Sequence, residues 1–340
     1  MPDYLFPTSG ELHEIAQDYL PQLVEARPVF QVFPMVNDDQ PLVMWEQEDD
    51  YTGLQQARGL DGQPPKINKL GGKRFSLNPG IYGEFSPIDE TEITMRRQFG
   101  TFGVPVDISA LVMREQRRLL GRRLDRVESI VWTLLSTGTF AVPGPSGAIL
   151  HTDSYLMQTY AAPVTWATSA TAAPLADFRA VQLRQRGHSV SFGPTATAWM
   201  NQITANRLFT NSNNQDIYGR RTAGLGTYNS EAQLNQLFAG DGLPTIRIYD
   251  GGYKDETQTF QPFIGDGVVI VVGKRSDGAA IGEYKFTRNA TNANAAAGPY
   301  MSVVDTLETT KRPPRQIEVH DGHNGGPALY FPSALVRMNV

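Results

Sequence analysis

The stretch Asp107–Ser136, DISALVMREQRRLLGRRLDRVESIVWTLLS, has the clearest helical pattern in this 340-residue chain. Its apolar residues recur every three or four positions, which places them along one side of a helix. Those residues are Ile108, Leu111, Val112, Leu119, Leu120, Leu124, Val127, Ile130, Val131, Leu134 and Leu135. At about 1.5 Å per residue the helix would be roughly 40 Å long. The pattern predicts a long amphipathic helix to which the less regular parts of the chain attach.

The other side of this predicted helix is charged. Its basic residues are Arg114, Arg117, Arg118, Arg122, Arg123 and Arg126, and they alternate with Glu115, Asp125 and Glu128. Asp107 or Ser109 is expected to cap the first turn, and Gly121 costs about 1 kcal/mol relative to Ala at mid-helix. Because acidic residues share the span, a charge ladder facing solvent or another subunit is favoured over a phosphate-binding site.

The composition excludes several classes of protein. The chain has 35 acidic and 30 basic residues, for a formal net charge of -5, which argues against strong general attraction to nucleic acid. It has no cysteine, which excludes disulfides, cysteine metal sites and thiol catalysis. The longest apolar run, Val268–Val272, is far shorter than the ~20 residues that span a bilayer. With no signal-peptide pattern at its start, the chain is expected to be soluble and made in the cytoplasm.

The N-terminal part has few signals of a core of its own. Thr8 and Glu11 have capping-box spacing before a helical pattern that Pro21 is expected to end or kink. The following run PVFQVFPMV (28–36) is predicted to be extended. Two interpretations remain open for this part of the chain: a helix packed on its own domain, or an arm lying on a neighbouring subunit.

The next part of the chain is predicted to be a long hairpin. LVMWEQ (42–47) and KRFSLNPGIYGEF (73–85) are typical of strands, and a polar, glycine- and proline-rich segment separates them. A long two-stranded hairpin is marginal alone, so an ordered one needs a surface to lie on. Basic side chains cluster at its tip and return limb: Lys66, Lys69, Lys73 and Arg74. A solvated loop is the default interpretation, and electrostatic docking on an adjacent copy is the alternative.

Beyond the hairpin the chain alternates short strands and helices. The period-two pattern of Glu90–Phe99 predicts a strand, and Leu175–Gly187 is typical of a second amphipathic helix. From Ile217 to Gly242 glycine, asparagine and glutamine are frequent and charge is sparse, and Arg220 and Arg221 are expected to be an exposed loop pair in preference to a phosphate site.

The C-terminal third is predicted to be rich in strands. The strands are expected in TIRIYDGGY, FIGDGVVIVVGK, IGEYKF, PYMSVVDTLE, RQIEVHDGH and the closing ALYFPSALVRMNV. The dipeptides Asp250-Gly251 and Asp266-Gly267 favour tight hairpin turns. The proline of the closing segment suits an edge or a bend.

No strong catalytic constellation is present in the sequence. His320 and His323 flank Asp321 in EVHDGHNGG, but His-x-x-His in a predicted turn lacks the helical spacing of zinc peptidases. Neither FIGDGVVIV nor AGLGTY combines a preceding strand with a following helix, as phosphate loops require. We therefore predict no catalytic residue, no metal site and no cofactor.

The order of these features resembles the major capsid proteins of tailed bacteriophages, specifically the family of the lambda major head protein (capsid protein E). The most specific match is IRIYDGGYKDETQTFQPFIGDGVVIVVGKRSDGAAIGEY (246–284), with its Tyr-Asp strand end, Phe-Ile-x-Asp-Gly turn, apolar strand and Gly-x-x-Tyr. The tail PPRQIEVHDGHNGGPALYFPSALVRMNV (313–340) is similar to the closing strands of the family, with Pro332, Ala334 and Val336 in its Pro-x-Ala-x-Val pattern. The chain departs from the family at Gly265, where relatives often have proline before Asp-Gly, and in its short arm.

The resemblance implies an α+β protein with the Hong Kong phage-type major capsid fold. By position, residues 1–42 would form the N-terminal arm and about 43–92 the extended hairpin loop. The peripheral domain would comprise about 93–187 and 300–340, with a spine helix at about 107–136. The axial domain would be about 188–299.

The resemblance also implies partners. Copies would form hexamers and pentamers of an icosahedral head that encloses double-stranded DNA, with scaffolding, portal and possible decoration proteins, no membrane contact, and a location in the virion after synthesis in the host cytoplasm. Candidate inter-subunit contacts are Lys66, Lys69, Lys73, Arg74, Arg117, Arg118 and Arg122. Some relatives join subunits covalently through a loop lysine, but no partner residues are recognisable here and no cross-link is predicted. The negative charge is expected to limit adhesion of the packaged DNA.

Three other functions stay open on the sequence. A decoration or surface-binding protein would suit the many short strands, and an encapsulin-like compartment would share the same fold. A hydrolase would need His320, His323 and nearby carboxylates to act together.

Overall fold

A computed structural model describes residues 4–5, 18–48, 54, 62–63, 72–95, 106–144, 148–184, 188, 190–221, 230–255, 257–275, 278–306 and 316–340. The chain divides into two compact units. Unit 1 comprises Met1–Val43, Leu77–Val131 and Glu283–Ala328. Unit 2 comprises Met44–Ser76, Trp132–Gly282 and Leu329–Val340.

The elements of the first half of the chain are mostly short, with one long helix. In order they are β1 (Tyr4–Leu5), a helix that includes 18–25 (α1), α2 (Val29–Val32), β2 (Met35–Asn37), β3 (Val43–Glu48), β4 (Gly72–Leu77), β5 (Gly80–Ile88), α3 (Glu90–Met95), β6 (Val106–Asp107), α4 (Ser109–Thr137), β7 (Thr139–Pro143), β8 (Ile149–Ser154) and β9 (Gln158–Ala161).

The second half alternates helices and strands before ending in strands. These are α5 (Pro174–Arg184), β10 (Val190–Ser191), β11 (Thr197–Met200), α6 (Gln202–Phe209), α7 (Ser212–Arg221), α8 (Glu231–Gly240), β12 (Thr245–Ile248), β13 (Gly252–Lys254), β14 (Phe260–Pro262), β15 (Val268–Val272), β16 (Lys274–Arg275), β17 (Gly282–Phe286), β18 (Tyr300–Asp305), β19 (Ile317–Leu329) and β20 (Leu335–Asn339).

The long helix predicted at 107–136 is confirmed as α4, a continuous helix of 29 residues. Gly121 does not interrupt it, and a Cβ at that position would have open space around it. The predicted cap residues lie just before or at the helix start, since Asp107 ends β6 and Ser109 is the first helical residue.

The sheet of unit 1 is built around the long strand β19. β5 pairs with β19 antiparallel, from Ile317 opposite Ile88 to Gly325 opposite Gly80. β18 pairs antiparallel with the same part of β19, so β5 and β18 flank it on opposite sides. β17 also pairs with β19, and β2 runs parallel to β17. A buried apolar cluster unites this sheet with α3 and the N-terminal part of α4: Ile88, Ile93, Ile108, Leu111, Val112, Leu119, Ile317 and Val319.

The sheet of unit 2 has five strands in the order β12-β11-β15-β20-β9. Its centre, β15, has the sequence VVIVV, and its last four residues are buried. Both neighbours of β15 are antiparallel to it, while β12 and β9 lie parallel to β11 and β20 at the two edges. An unbroken apolar strand of this kind is typical of a strand covered on both faces.

The prediction of a strand at Glu90–Phe99 is wrong, because Glu90–Met95 forms α3. Of the two apolar residues that supported the strand, Ile93 is buried but Met95 is 80% exposed, so the alternation does not correspond to a buried face. Glu90 and Glu92 lie in the first turn of α3, where acidic side chains favour a helix start. Residues 96–99 lie outside the described part of the chain.

The predicted Asp-Gly hairpins are also wrong. β12 and β13 flank Asp250-Gly251 but pair with β11 and β14, and β15 after Gly267 pairs with β11 and β20. The two aspartates instead support the start of α6. Asp250 Oδ1 accepts a hydrogen bond from the backbone N–H of Gln202 at 2.8 Å. Asp266 Oδ1 accepts a hydrogen bond from Asn201 Nδ2 at 2.6 Å. Gly267 has a φ of 70°, so its preference for the left-handed region is used in a bend between strands that do not pair.

Three smaller predictions need correction. Residues 28–36 are not extended throughout, since they contain the helix α2 before β2. Arg220 and Arg221 are not a loop pair, since they are the last two residues of the helix α7. The histidine segment EVHDGH lies within β19 and not in a turn, because backbone pairing on both sides keeps it extended.

Most other predicted elements are confirmed. α5 falls within 175–187 except for its first residue, Pro174, and the predicted strands of the C-terminal third correspond to β12, β13, β15, β17, β18 and β19. In the closing segment, proline begins a short 3-10 turn at Pro332–Ala334, which confirms a bend before β20. The predicted capping residues Thr8 and Glu11 lie outside the described residues.

Candidate functional site: the long helix and the hairpin stalk

Strand β5 lies along α4, and every second side chain of the strand meets the helix. Ser86 Oγ donates to Glu115 Oε2 at 2.8 Å. Glu84 accepts two hydrogen bonds from Arg122, at 2.5 and 2.9 Å. The Arg126 guanidinium lies over the ring of Tyr82, 5.8 Å from its centroid. We call this set of contacts the strand–helix ladder.

The geometry of the two elements explains this ladder. Alternate residues of a strand point to the same face and are about 6.6 Å apart, close to the rise of about 6 Å over the four helical residues from Arg122 to Arg126. The step from Glu115 to Arg122 is longer, at seven residues or about 10 Å. The Arg122 hydrogen bonds lower the pKa of Glu84, so its carboxylate stays ionised against the helix. Both side chains of this pair are about half exposed, so its contribution to stability is at most about 1 kcal/mol. Its main effect is to hold the register of β5 along α4.

A buried ion pair joins α4 to the central strand of the same sheet. Arg123 Nη1 donates to both carboxylate oxygens of Asp321 at 3.0 and 2.8 Å, and the two side chains are only 8% and 3% exposed. Burial raises the pKa of Asp321 to about 6, and the guanidinium of Arg123 opposes that rise. Arg123 was predicted to belong to a charge ladder facing solvent or another subunit, which is wrong because β19 brings a carboxylate to it from 198 positions away.

His323 lies beside this pair in an aromatic enclosure. Its ring stacks on Tyr82 at 5.1 Å and meets Tyr284 and Phe286 edge-on at 6.0 and 5.4 Å. Its Nε2 is 3.2 Å from the hydroxyl of Tyr284. Burial lowers the pKa of His323 to about 3, and the positive charges of Arg123 and Arg126 act in the same direction. This histidine is therefore a neutral core residue at physiological pH.

The other residue of the imagined metal site points away from His323. His320 Nε2 lies 3.0 Å from Glu318 Oε2, and its ring stacks on Phe85. Along a strand, residues three apart are on opposite faces, so His320 and His323 cannot share a metal ion. Within the described ranges, no three His, Asp or Glu side chains converge to hold a metal ion.

The N-terminal segment also contacts α4. Arg27 hydrogen-bonds Asp125, and its Nε lies 3.2 Å from Glu128 Oε2. Glu128 is only 1% exposed, so this carboxylate of the predicted solvent face is in fact buried and paired with an arginine. Arg117 lies over the ring of Tyr19, 4.8 Å from its centroid. The described residues 18–43 belong to unit 1, and these contacts join them to α4.

The base of the predicted hairpin loop is a stalk formed by β3 and β4. The Trp45 ring stacks on Phe75 at 5.4 Å across the stalk and on Tyr155 at 5.6 Å. Gln47 Nε2 donates to the carbonyl of Leu329 at 3.1 Å. Since both Tyr155 and Leu329 belong to unit 2, the stalk has the packing surface that a two-stranded hairpin requires.

The seven candidate inter-subunit residues have different surroundings. Four arginines contact acids or rings of their own chain: Arg74 with Glu46, Arg117 with Tyr19, Arg118 with Glu115, and Arg122 with Glu84. Lys73 is exposed on β4, while Lys66 and Lys69 lie outside the described residues. Their contact with a neighbouring subunit remains a prediction.

Sequence reasoning missed the buried polar residues of β19, although a signal was present. RQIEVHDGH was predicted as a strand, and the alternation of a strand places Asp321 and His323 on the same face as the apolar Ile317 and Val319. A carboxylate on a buried face needs a cation, and the arginine-rich helix was the evident source. The pairing with Arg123 in particular depends on the tertiary fold.

No helix in the described part of the chain combines the length and apolar character needed to cross a bilayer.

Comparisons with known proteins agree with the sequence and the fold. The family model described as phage major capsid protein E matches residues 17–338. No curated protein matches the sequence significantly. Among solved structures, the chain is similar to the putative capsid protein of a prophage of E. coli CFT073, with 14% identity, 99% of each chain covered and a TM-score of 0.62.

Two further solved structures have the same fold. A phage-related protein from Bordetella bronchiseptica RB50 has 9% identity and a TM-score of 0.55, over 96% of this chain and 95% of that chain. A structure from Mycobacterium phage Patience has 11% identity and a TM-score of 0.50, over 98% of this chain and 88% of that chain. At such identities the similarity shows the fold alone, which is the predicted Hong Kong phage-type capsid fold. Because the family model spans nearly the whole sequence, the chain belongs to the phage major capsid protein E family and is a major capsid protein.

Proposed function

We propose that copies of this chain assemble into hexamers and pentamers that close an icosahedral tailed-phage head around double-stranded DNA. The match of the capsid protein E family to residues 17–338 carries this proposal. The similar solved structure from E. coli CFT073 is a putative capsid protein, which agrees with a role in which copies associate with each other. The role is structural: shape and contacts between copies perform it, and no catalytic residue is needed.

Each predicted domain has its own place in the proposed shell. The arm (1–42), the hairpin loop (about 43–92), the peripheral domain (about 93–187 and 300–340) and the axial domain (about 188–299) are assigned by resemblance. The packing of Trp45 on Tyr155 supports a stalk fixed to its own subunit. By their position on the hairpin loop, Lys66 and Lys69 would contact acidic side chains of a neighbouring copy.

Other components of the head are proposed from the same resemblance. Scaffolding and portal proteins, and possible decoration proteins, would contact the shell, and packaged DNA would contact it weakly and without sequence preference. The net charge of -5 supports weak DNA contact, because phosphate binding relies on clusters of basic side chains. Tight, salt-sensitive binding of duplex DNA by isolated subunits would contradict this part of the proposal.

Electron microscopy of the purified full chain tests the proposed function. We expect rings of five and six subunits and hollow closed particles, and in sedimentation a species far larger than the 37.5 kDa chain. Heterologous contacts that close on themselves produce rings and shells of this kind. A monodisperse monomer at every protein concentration, or only small discrete oligomers, would contradict it.

A further inference from the structure

The two sheets differ in how their edges are covered. At one edge of the unit 2 sheet, the side-chain amide of Asn235 on α8 binds the backbone of β12. Asn235 Nδ2 donates to the carbonyl of Ile246 at 2.9 Å, and the N–H of Ile246 donates to Asn235 Oδ1 at 2.7 Å. This pair of bonds reproduces what a neighbouring strand would make, so β12 is closed to strand addition at its centre.

The other edge of the unit 2 sheet is also covered. Arg184 Nη1 donates to the carbonyl of Thr159 in β9 at 2.8 Å, and its guanidinium lies over the ring of Tyr160. β9 is only four residues long, and a charged side chain placed on a short strand discourages pairing with another chain. Both edges of this sheet are therefore protected by a side chain from a helix.

No described residue covers the outer edge of strand β5 in unit 1 in this way. Among the described residues, its nine-residue backbone pairs only with β19, on one side. Ile81 is 78% exposed and Phe85 is 55% exposed. By contrast β18, which flanks β19 on the opposite side, has no exposed residue. A long edge strand with exposed apolar side chains is a template for pairing with another chain.

The register shows which backbone groups of β5 are available. The backbone carbonyl of Asn324 accepts a hydrogen bond from the backbone N–H of Thr287, on the side of β19 away from β5. Its cross-strand partner Ile81 is therefore at a non-hydrogen-bonded position, with its N–H and C=O directed away from β19. The same alternation applies to Gly83 and Phe85. Pro87 continues this set, and proline in sheets is found on edge strands with its nitrogen facing outward.

We propose that the outer edge of β5 binds an extended segment of a second copy of this chain, which adds a strand to the unit 1 sheet. This inference rests on the proposed self-assembly, because a closed shell places another copy beside every subunit. The added strand forms backbone hydrogen bonds with Ile81, Gly83 and Phe85, and it covers the apolar side chains of Ile81 and Phe85. The covered edges of β12 and β9 direct strand addition away from unit 2.

Hydrogen exchange of the full-length protein tests this proposal, with free subunits compared with assembled particles. The amides of Ile81, Gly83 and Phe85 are expected to exchange at least about tenfold more slowly in particles, since a new backbone hydrogen bond protects them. The amides of Tyr82, Glu84 and Ser86 face β19 and are the internal control, protected in both states. Particles in which Ile81, Gly83 and Phe85 stay unprotected would overturn this inference but leave the proposed function intact. A chain that forms no particles would overturn both.

A double variant gives a second test. Ile81→Lys with Phe85→Lys places charge along the open edge, while Ile149→Lys with Leu150→Lys is the matched control on β8, where Ile149 and Leu150 are 63% and 68% exposed. We expect the edge variant to fold, as judged by circular dichroism, and to lose at least about tenfold in particle yield, while the control assembles normally. Equal yields would overturn the proposal. If the edge variant fails to fold, the exchange measurement on the unaltered protein decides.

Discussion

The sheet of unit 2 and the sheet of unit 1 achieve stability by different means. In unit 2, the buried apolar strand β15 lies between two partners, and side chains of Asn235 and Arg184 cover the two sheet edges. In unit 1, the sheet face that meets α4 includes a buried ion pair, a buried histidine and the strand–helix ladder, and the described residues leave the outer edge of β5 unpaired. Within the described parts of the chain, both edges of the unit 2 sheet are covered by side chains, whereas β5 of the unit 1 sheet is paired on one side only.

This difference shows what the charged helix contributes. An apolar interface tolerates sliding, but a ladder of specific polar contacts is satisfied in only one register. The ladder from Ser86 to Tyr82 therefore holds β5 in a defined position along α4, so that its outer edge has the same placement in every copy. We expect a reproducible edge to matter for a protein whose copies assemble on each other.

The largest effect is expected from breaking the buried ion pair in unit 1. Asp321→Ala leaves the guanidinium of Arg123 buried without its carboxylate, which costs about 3–5 kcal/mol in free energy of unfolding. Urea denaturation, with circular dichroism to follow unfolding, measures the change.

Glu46→Ala is the control for that variant, because it breaks the exposed pair with Arg74, whose side chain is 71% exposed. Its cost is expected to stay below about 1 kcal/mol. Equal losses for the two variants would show that the buried pair has no special part in unit 1.

The variant His323→Phe tests the buried histidine of unit 1 through the pH dependence of stability. The pKa of His323 falls from its ordinary 6.5 to about 3 in the folded protein. As the pH falls below 6.5, His323 of the unfolded chain binds a proton that the folded chain does not bind. The free energy of unfolding therefore decreases between pH 6.5 and about pH 3. His323→Phe removes this loss, and from about pH 7 to about pH 4 it should gain about 3 kcal/mol relative to the unaltered protein.

The measurement is denaturant unfolding of both proteins across that pH range. The raised pKa of Asp321 has the opposite effect on the free energy of unfolding. The contribution of this residue is fully present below pH 3.8 and is lost as the pH rises through about 6. Asp321 is present in both proteins, so its effect cancels in the difference. Parallel pH profiles for the two proteins would contradict the buried, neutral state assigned to His323.

The smallest effect is expected at the covered edge of unit 2. Asn235→Ala removes the two hydrogen bonds to Ile246, for a loss of about 1–2 kcal/mol, and exposes the edge of β12. Denaturation measures the loss, and light scattering should detect new aggregation through the uncovered edge. Asn206→Ala is the control, because Asn206 accepts a hydrogen bond from Gln202 on the exposed side of α6. If neither stability nor aggregation differs between these variants, the amide does not protect the edge.

The elements that depend on local patterns were largely predictable from the sequence. The apolar repeat of α4, the alternation of β19 and the apolar run of β15 each predicted the observed element. These patterns succeed because they follow the periods of 3.6 and 2 residues of regular structure. The Asp-Gly pairs show the limit: Gly267 has the positive φ that Asp-Gly favours, but β-pairing with distant strands decided that neither pair makes a hairpin.

The features of the candidate site depend on distant parts of the chain. Arg123 and Asp321 are 198 positions apart, and Arg27 and Asp125 are 98 apart. A helix with six arginines and several acids offers many pairings, and only the tertiary fold selects which are buried. The family resemblance, carried by the order of motifs over the whole chain, therefore predicted the function better than any single residue.

A cryo-electron microscopy reconstruction of the assembled particle tests the central claim most directly. We predict a strand from another copy hydrogen-bonded to Ile81, Gly83 and Phe85 of β5, with Asn235 still bound to the edge of β12. A closed shell in which the outer edge of β5 faces solvent, or in which copies join through β12, would contradict this account.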